Sequence, residues 1–200
     1  MRSTIIGITG GISTGKSTFS KMLREKTGAE TFDADVAARA LVERDDEVRK
    51  LLRAEFGDAI FSATGDLNRA ALRAIILADP KKKRALEQVL HPRIRLQWAA
   101  EADRNRRAGK IFLADIPLLY ETAGEKLCDT VVVVACSPMI QETRLTNRTS
   151  MPLGEARALI AAQMPLEKKI ARAGHVAWNN GPREALAAQA EICARFLHIV

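Results

Sequence analysis

Cysteine, aromatic residues and long apolar runs are all scarce in this sequence of 200 residues. The three cysteines, Cys128, Cys136 and Cys193, are widely spaced and form no C-x-x-C motif, which argues against a disulfide framework and a structural zinc site. No window of about 18 apolar residues is long enough to span a bilayer, and the apolar run near the start is too short for a secretory signal. We therefore expect a cytoplasmic protein, with no membrane association and no obligate protein partner.

Aromatic content and charge narrow the class of partner. Six Phe, two Trp and one Tyr are too few for the stacking platforms that bind single-stranded nucleic acid. Lys and Arg number 31 against 24 Asp and Glu, which gives a formal net charge of +7. Such an excess favours nucleic acid, an acidic membrane surface or a phosphate-rich small molecule. Because aromatics are scarce, we expect no nucleic-acid partner.

The chain alternates short apolar runs with helical patterns, which favours an α/β fold with a parallel sheet. Strands are predicted at residues 4–9, 30–32, 110–115, 129–135 and 175–178. Helices are predicted at 17–26, 138–148, 153–173 and 183–197. Residues 36–109 are almost entirely helical and highly charged, with breaks at Gly57, Thr64-Gly65, Pro80 and Pro92. We interpret this stretch as a helical lobe inserted into a single domain that spans residues 1–200.

The most specific local signal is a phosphate-binding loop. Eight residues fit G-x-x-x-x-G-K-[ST] at every fixed position, after a predicted strand and before a predicted helix: Gly10, Gly11, Ile12, Ser13, Thr14, Gly15, Lys16 and Ser17. In such a loop, backbone N–H groups surround a phosphate and the helix dipole adds partial positive charge. Lys16 is expected to reach the β and γ phosphates, and the Ser17 hydroxyl to bind Mg²⁺. The alternative is a glycine-rich turn that only joins strand to helix.

Three carboxylates follow predicted strands, where open α/β sheets bind their ligands. Asp33 and Asp35 come after the second strand, and a carboxylate there can accept the proton of an acceptor hydroxyl. Asp115 ends the third strand and can hold Mg²⁺ through water. Each of the three can also be a helix cap or turn residue.

Several basic residues have both a functional and a structural interpretation. Arg144 and Arg148 lie four apart on one predicted helix, so bound phosphates would relieve their repulsion, but a solvated face is equally compatible. Lys168 and Lys169 have the same two interpretations, with the solvated face favoured. His91 precedes Pro92, and a lone histidine is more often structural than catalytic.

Five motifs in order along nearly the whole chain together resemble the dephospho-CoA kinase family. The stretch from Asp115 to Glu121 and the Asp-Ala-Asp stretch are far more specific than the phosphate-binding loop, which many nucleotidases share. The motifs are Gly10-Gly11-Ile12-x-x-Gly15-Lys16-Ser17-Thr18, Asp33-Ala34-Asp35-x-x-Ala38-Arg39, His91-Pro92, Asp115-Ile116-Pro117-Leu118-Leu119-Tyr120-Glu121 and Gln163-Met164-Pro165-Leu166-Glu167-Lys168.

The resemblance implies a P-loop kinase that transfers the γ-phosphoryl group of ATP to the ribose 3′-hydroxyl of dephospho-CoA, with Mg²⁺ as cofactor. It implies a three-layer P-loop fold with a five-stranded parallel sheet, a helical acceptor lobe at 36–109 and a lid at 138–173. By the same resemblance, Asp33 is the base, with Lys16 and Arg144 also catalytic. ATP would bind residues 10–18, Thr18 included, with Arg144, Arg148 and Asn180; Ser17 and Asp115 would hold the metal. The acceptor would contact Asp33, Asp35, Arg39, His91, Leu118, Tyr120 and Glu121.

Two stretches depart from the family pattern. The family's loop usually reads Gly-Gly-Ile-Gly-Ser-Gly-Lys-Ser, whereas Ser13 and Thr14 stand in the middle of this one. Near the last strand the family commonly has Ala-Asp, and this chain has Ala173-Gly174. Any role of that aspartate is lost here or supplied elsewhere.

Two other functions fit the residues less well. One is a nucleoside or nucleotide kinase on the same core, which differs only in its acceptor. The other is a P-loop switch or a nucleic-acid-dependent ATPase, in which the positive charge binds a polyanionic chain. The lack of an aromatic-rich basic groove argues against this second alternative.

Overall fold

The computed structural model describes residues 3–197, which form two compact units. One unit holds the chain up to Asp33 and from Ala99 onwards, and the other is the helical stretch Ala34–Trp98. The strands are β1 (Thr4–Gly10), β2 (Glu30–Asp33), β3 (Ile111–Asp115), β4 (Thr130–Ala135) and β5 (His175–Trp178). The helices are α1 (Lys16–Thr27), α2 (Ala34–Arg44), α3 (Asp46–Phe56), α4 (Arg69–Ala78), α5 (Pro80–Arg107), α6 (Pro138–Thr149), α7 (Leu153–Ala161), α8 (Leu166–Ile170) and α9 (Arg183–Phe196).

The sheet has five parallel strands in the order β2-β3-β1-β4-β5, which confirms the predicted fold class. β1 lies at the centre because it is apolar on both faces, as strands covered by helices on both sides are. Ile6 and Ile8 share one face with Phe19 of α1 and Leu186 of α9 in the largest core. On the opposite face Gly7 is covered by Leu119, whose Cδ2 would lie 2.6 Å from a Cβ at that position. The loop after β3 is therefore held against the central strand.

The helical unit has a separate apolar core and well-capped helices. Its buried side chains come from α2, α3, α4 and the turn between the last two: Leu41, Val42, Val48, Leu52, Ile60 and Leu72. The Asp45 carboxylate accepts a hydrogen bond from the N–H of Val48 at the start of α3, and Asn68 caps α4 through the N–H of Ala71. These caps are short-range contacts, so they help to explain why residues 36–109 could be predicted as helical from the sequence alone.

Helix α5 runs through Pro92, whereas the sequence predicted a break there. Proline removes one N–H from the helical ladder. The carbonyl left without that donor is the one of Gln88, four residues earlier, and the guanidinium of Arg93 donates to the next carbonyl, that of Val89, at 3.0 Å. The compact helical unit also ends at Trp98, inside α5, and not at the predicted residue 109. One long helix therefore contributes its last residues to the sheet-containing unit.

The predicted helix at 153–173 is two helices with a break between them. α7 ends at Ala161 and α8 begins at Leu166. The break precedes Pro165, because a residue before proline avoids the helical region and proline itself donates no N–H. Gln163 and Met164 lie in this break, where the Gln163 side chain contacts Ile12 and the Met164 N–H contacts Glu121.

Within the described residues, no helix is both long enough and apolar enough to cross a membrane.

Candidate active site

Three strand ends bring the expected functional residues of the sheet-containing unit to one edge of the sheet. β1 leads into the phosphate-binding loop, Asp33 is the last residue of β2, and Asp115 is the last residue of β3. Asp115 is in register with Ile8 of β1 and with Asp33 of β2. Because neighbouring strands lie about 4.8 Å apart, the two carboxylates start from adjacent positions. This is the edge at which parallel α/β sheets bind ligands.

The phosphate-binding loop has the backbone shape that its motif predicts. Gly15 precedes α1 with a φ of 94°, in the left-handed region, and an added Cβ would collide with the amide of Asn179. Ser13, at the position where the family usually has glycine, has a φ of 60°. The loop thus adopts a left-handed residue without glycine at that point, which costs conformational free energy. The side chain of Thr14 is buried and donates to the carbonyl of Gly11 at 2.9 Å.

Lys16 forms an ion pair with Asp115, and both side chains are nearly buried, with exposed fractions of 10% and 3%. Burial raises the pKa of the Asp115 carboxyl, while Lys16 and a hydrogen bond from Ser20 act against that rise. The negative charge of Asp33 raises the same pKa further. A phosphate that binds Lys16 would therefore have to compete with Asp115 for the ammonium group.

Asn179 holds the loop from behind, a role that the sequence interpretation missed. Its buried Nδ2 donates to the carbonyl of Thr14 at 2.8 Å. That carbonyl belongs to the same peptide unit as the N–H of Gly15, so the hydrogen bond orients the N–H as well. The sequence pattern had indicated only that Asn179 is part of a turn. Its place directly after a strand that ends at the same sheet edge is the signal that could have found it.

Lys169 does not face solvent in this structure. It is completely buried, and its ammonium donates to the carbonyls of Gly10 at 3.2 Å and Pro117 at 2.9 Å. It also forms an ion pair with Glu121 at 2.9 Å. Burial lowers the pKa of Lys169, whereas Glu121 opposes that shift. α8 is therefore fastened to the end of β1 and to the loop after β3, so the favoured solvated-face interpretation of Lys169 is wrong.

The polar ends of Tyr120 and Glu121 bind other parts of the same unit. The Tyr120 hydroxyl donates to the carbonyl of Arg172 at 2.9 Å, and the Arg172 guanidinium lies 4.2 Å from the centre of the tyrosine ring. The Glu121 carboxylate accepts from the N–H of Met164 at 2.9 Å besides its ion pair with Lys169. Both residues thus join the loop after β3 to residues 164–172. Their predicted contact with the acceptor, and that of half-buried Leu118, stays a prediction.

Arg144 is half-buried on α6, and its Nη1 is buried with no hydrogen-bond partner among the described residues. Arg148, one turn later, is exposed. Asn180, predicted to bind the nucleotide, accepts a hydrogen bond from the N–H of Ser137 at 2.8 Å, directly before α6 begins. Because buried charged groups are normally paired, Arg144 has spare capacity for an anion.

Three predicted acceptor residues lie in the helical unit. Asp35 is in the first turn of α2, Arg39 is on the same helix, and His91 is on α5. Asp35 and Arg39 are exposed, and burial lowers the pKa of half-buried His91. The arrangement within this unit neither requires nor opposes an acceptor role for them.

A phosphate-binding loop at the central strand of a five-stranded parallel sheet, with carboxylates at the ends of two neighbouring strands, defines a P-loop kinase. A family model described as dephospho-CoA kinase matches residues 4–184. The dephospho-CoA kinase of Anaeromyxobacter dehalogenans is 43% identical over 188 residues, 94% of this chain and 89% of the relative. That of Geobacillus kaustophilus is 42% identical over 180 residues, 90% of this chain and 89% of the relative. The chain therefore belongs to the dephospho-CoA kinase family, the ATP-dependent kinases of the final step of coenzyme A biosynthesis.

Solved structures agree with this assignment at the level of the fold. The crystal structure of TT1252 from Thermus thermophilus covers 100% of both chains at 31% identity, with a TM-score of 0.76. A dephospho-CoA kinase from Campylobacter jejuni covers 98% of both chains at 21% identity, with a TM-score of 0.68. Shikimate kinase from Aquifex aeolicus has a TM-score of 0.51 at 13% identity, which shows the shared fold alone.

Proposed function

We propose that this chain transfers the γ-phosphoryl group of ATP to the ribose 3′-hydroxyl of dephospho-CoA, with Asp33 as the general base. The observation that carries this proposal is the meeting of three strand ends at one sheet edge. There Lys16 is paired with Asp115, and Asp115 is in register with Asp33. A cation for the phosphates and a carboxylate for the acceptor hydroxyl thus lie side by side, as in-line phosphoryl transfer requires.

The ATP phosphates bind the loop from Gly10 to Thr18, where backbone N–H groups and the start of α1 attract negative charge. Lys16 leaves Asp115 for the β and γ phosphates, since a bound triphosphate offers it a larger negative charge. Arg144 adds a second cation for the phosphates. Its Nη1 is buried without a hydrogen-bond partner among the described residues, which supports this role. Arg148 lies on the same helix, one turn closer to its end. Asn180 binds the nucleotide base from the loop after β5.

Asp33 accepts the proton of the acceptor hydroxyl as the oxygen attacks the γ-phosphorus. The hydroxyl must come within hydrogen-bond reach of the carboxylate, on the opposite side of the phosphorus from the leaving β-phosphate oxygen. Asp115 is less suited to this task, because it is nearly buried and already bound to Lys16. Its burial instead fits a fixed role beside the phosphates.

The donor set at this edge fits Mg²⁺. Magnesium prefers oxygen ligands and usually keeps several waters, with one or two carboxylates and the phosphates of the substrate. The Ser17 hydroxyl in the first turn of α1 and the Asp115 carboxylate supply such oxygens. No cluster of three or more potential ligands of the His, Cys, Asp or Glu type is found in residues 3–197. When bound, Mg²⁺ neutralises charge on the β and γ phosphates.

The assignment of acceptor residues in each unit rests on the family resemblance. Asp35, Arg39 and His91 offer charged and polar contacts, and Leu118 offers an apolar one. Tyr120 and Glu121 act by holding the loop after β3 in place through their contacts with Arg172, Met164 and Lys169. Residues 138–173 form the lid. ATP and dephospho-CoA are the only partners proposed, and the three unpaired cysteines suit a reducing cytoplasm.

The decisive test is acceptor specificity. ADP release is measured with Mg·ATP and dephospho-CoA, AMP, a nucleoside or pantetheine, and mass spectrometry and NMR locate the added phosphate. We expect a product one phosphate heavier, with the phosphate on the ribose 3′ position, and much poorer turnover of the fragments, since each lacks contacts that position the reacting hydroxyl. A preference for AMP would overturn the acceptor assignment and leave a nucleotide kinase.

A second measurement tests the phosphate-binding loop itself. Lys16→Ala removes the cation that stabilises charge developing between the β and γ phosphates, so turnover should fall by at least about 10²-fold. Lys168→Ala is the matched control, because Lys168 is exposed on α8 and should keep wild-type turnover. Turnover of the Lys16 variant within about tenfold of wild type would refute the assignment.

A further inference from the structure

Two glutamine side chains hold the tip of the phosphate-binding loop from outside. The N–H of Ile12 donates to Oε1 of Gln163 at 2.9 Å, and the carbonyl of Ile12 accepts from Nε2 of Gln141 at 2.8 Å. Gln141 is on α6, and Gln163 lies in the break between α7 and α8. Both backbone polar groups of one loop residue are therefore bound by side chains that come from more than 120 residues further along the chain.

The polarity of the two hydrogen bonds is fixed by the backbone. A peptide N–H can only donate and a peptide carbonyl can only accept. The amide of Gln163 must therefore present its oxygen to Ile12, and that of Gln141 must present its nitrogen. Gln141 is buried, and a Cβ on Gly11 would lie 2.6 Å from its Nε2. Gly11 thus provides the space in which the Gln141 amide reaches the loop.

Holding the groups of Ile12 also orients the groups that would meet a phosphate. The carbonyl of Ile12 and the N–H of Ser13 share one planar trans peptide unit and point in opposite directions. Because Gln141 draws the carbonyl outward, the N–H of Ser13 is directed inward. The preceding peptide unit is fixed in the same way, with the N–H of Ile12 bound to Gln163 and the carbonyl of Gly11 bound to the Thr14 side chain.

We propose that Gln141 and Gln163 are positioning residues for phosphoryl transfer, which keep the loop in its phosphate-binding shape before ATP arrives. This inference rests on the proposed function, because the reaction that the two glutamines serve is the proposed phosphoryl transfer. Donors that are already oriented need no reorganisation when the nucleotide binds or when charge develops in the transition state. Gln141 and Gln163 both belong to the proposed lid segment (residues 138–173), so the parts of that segment around these two residues stay with the loop.

The experiment uses the opposite polarity of the two hydrogen bonds. Gln163→Glu keeps an oxygen acceptor for the N–H of Ile12, whereas Gln141→Glu places a carboxylate oxygen against the carbonyl of Ile12. Both variants add one negative charge at the same loop, so the electrostatic penalty on ATP is shared and the difference isolates the hydrogen bond. We expect kcat/KM for ATP to fall at least about tenfold further in Gln141→Glu than in Gln163→Glu.

Neutral variants and a matched control complete the design. Gln141 and Gln163 line a cavity of about 330 Å³, so methionine is used to keep water from replacing a shortened side chain. Gln141→Met and Gln163→Met should each lower kcat/KM for ATP by about tenfold or more. Gln189→Met is the control, because Gln189 also binds one N–H and one carbonyl, both of Trp178 on β5. It should lower the melting temperature and leave kcat/KM unchanged.

The outcomes separate this inference from the proposed function. Equal losses in the two glutamate variants, or methionine variants that lose melting temperature but keep kcat/KM as Gln189→Met does, would overturn it. If Gln141→Glu fails to fold, the contrast between Gln163→Met and Gln163→Glu decides, with the glutamate variant expected to be the more active. If the wild type fails to phosphorylate dephospho-CoA, the proposed function fails. In that case the Kd for ADP is measured for each variant, and we expect ADP affinity to fall in the same order as kcat/KM was expected to fall.

Discussion

Two aspartates at adjacent strand ends have different environments, and these environments favour different tasks. Asp115 is buried and paired with Lys16, so its position is fixed and its pKa is raised by burial. Asp33 ends β2 and is only half-buried. A base must reach the acceptor hydroxyl, whereas a group that organises phosphates and metal must be held rigidly. The difference in burial therefore favours Asp33 as the base.

Asp33→Asn tests this division of roles. The amide keeps the shape of the side chain but cannot accept a proton, so kcat should fall by about 10²-fold or more with little change in KM for ATP. Asp129→Asn is a suitable control, since the Asp129 carboxylate accepts from the N–H of Ile5 at the start of β1 and lies far along the strand from the loop. It should affect stability alone. If Asp33→Asn loses only stability, Asp33 is a structural residue.

The Thr130 side chain lies in the space that the usual family aspartate would need at position 174. A Cβ on Gly174 would collide with the Thr130 hydroxyl at the start of β4, and the N–H of Gly174 donates to the carbonyl of Val131 at 2.9 Å. The sequence shows that the aspartate is missing. It does not show that Thr130 lies in the space of a side chain at position 174, because the two residues are 44 positions apart in the sequence. Distant contacts of this kind are invisible to motif reasoning.

At the scale of elements, α8 is a fixed part of the proposed lid segment. Its Lys169 is bound to the carbonyls of Gly10 and Pro117 and to Glu121. Lys169→Met would leave two carbonyls and a carboxylate without their cation, and breaking a buried pair typically costs about 3 kcal/mol or more. For a chain of this size we expect the melting temperature to fall by about 10 °C.

Lys168→Met is the matched control for that measurement, because Lys168 is the exposed neighbour on the same helix. Its melting temperature should stay within about 2 °C of wild type. A Lys169 variant as stable as the Lys168 variant would show that the three contacts of the buried ammonium contribute nothing measurable.

The rest of the lid segment should respond to the substrates. α7 contacts α6 through a bidentate ion pair, in which Arg157 donates two hydrogen bonds to the Glu142 carboxylate at 2.9 and 3.0 Å. We expect residues 138–173 to gain protection from hydrogen exchange when ATP and dephospho-CoA are both bound, since a lid must exclude water from the transferring group. The gain should be largest in α7 and smallest in α8, which Lys169 already holds. Exchange that is unchanged in the ternary complex would contradict a lid.

Element types were predictable from the sequence because local patterns decide them, whereas some boundaries were not. The β-branched run of β4 and the loop motif after β1 identify buried strands and a phosphate site directly. The continuation of α5 through Pro92 has no signal in the sequence, because proline usually ends or kinks a helix. The break before Pro165 left Gln163 outside a helix, and no sequence pattern indicated that its amide would reach Ile12.

At the scale of the whole molecule, all three cysteines are held as thiols. Burial raises the pKa of Cys128 to about 12 and that of Cys193 to about 11, and it also raises the pKa of Cys136. The thiolate is the reactive form, so iodoacetamide at about pH 8 should modify the native protein very slowly and without loss of turnover. Mass spectrometry should find up to three adducts only after unfolding. Rapid modification of the native chain would contradict the burial of these thiols.

The contacts that shape the phosphate-binding loop also determine when it can form during synthesis. The loop leaves the ribosome early, but its partner Asn179 is made 165 residues after Thr14. At roughly 5–20 residues per second, this interval is on the order of ten seconds or more. The nascent chain therefore carries a glycine-rich loop without its supports for most of its synthesis. We therefore expect ATP affinity to appear only when the chain is complete up to β5 and the turn beyond it.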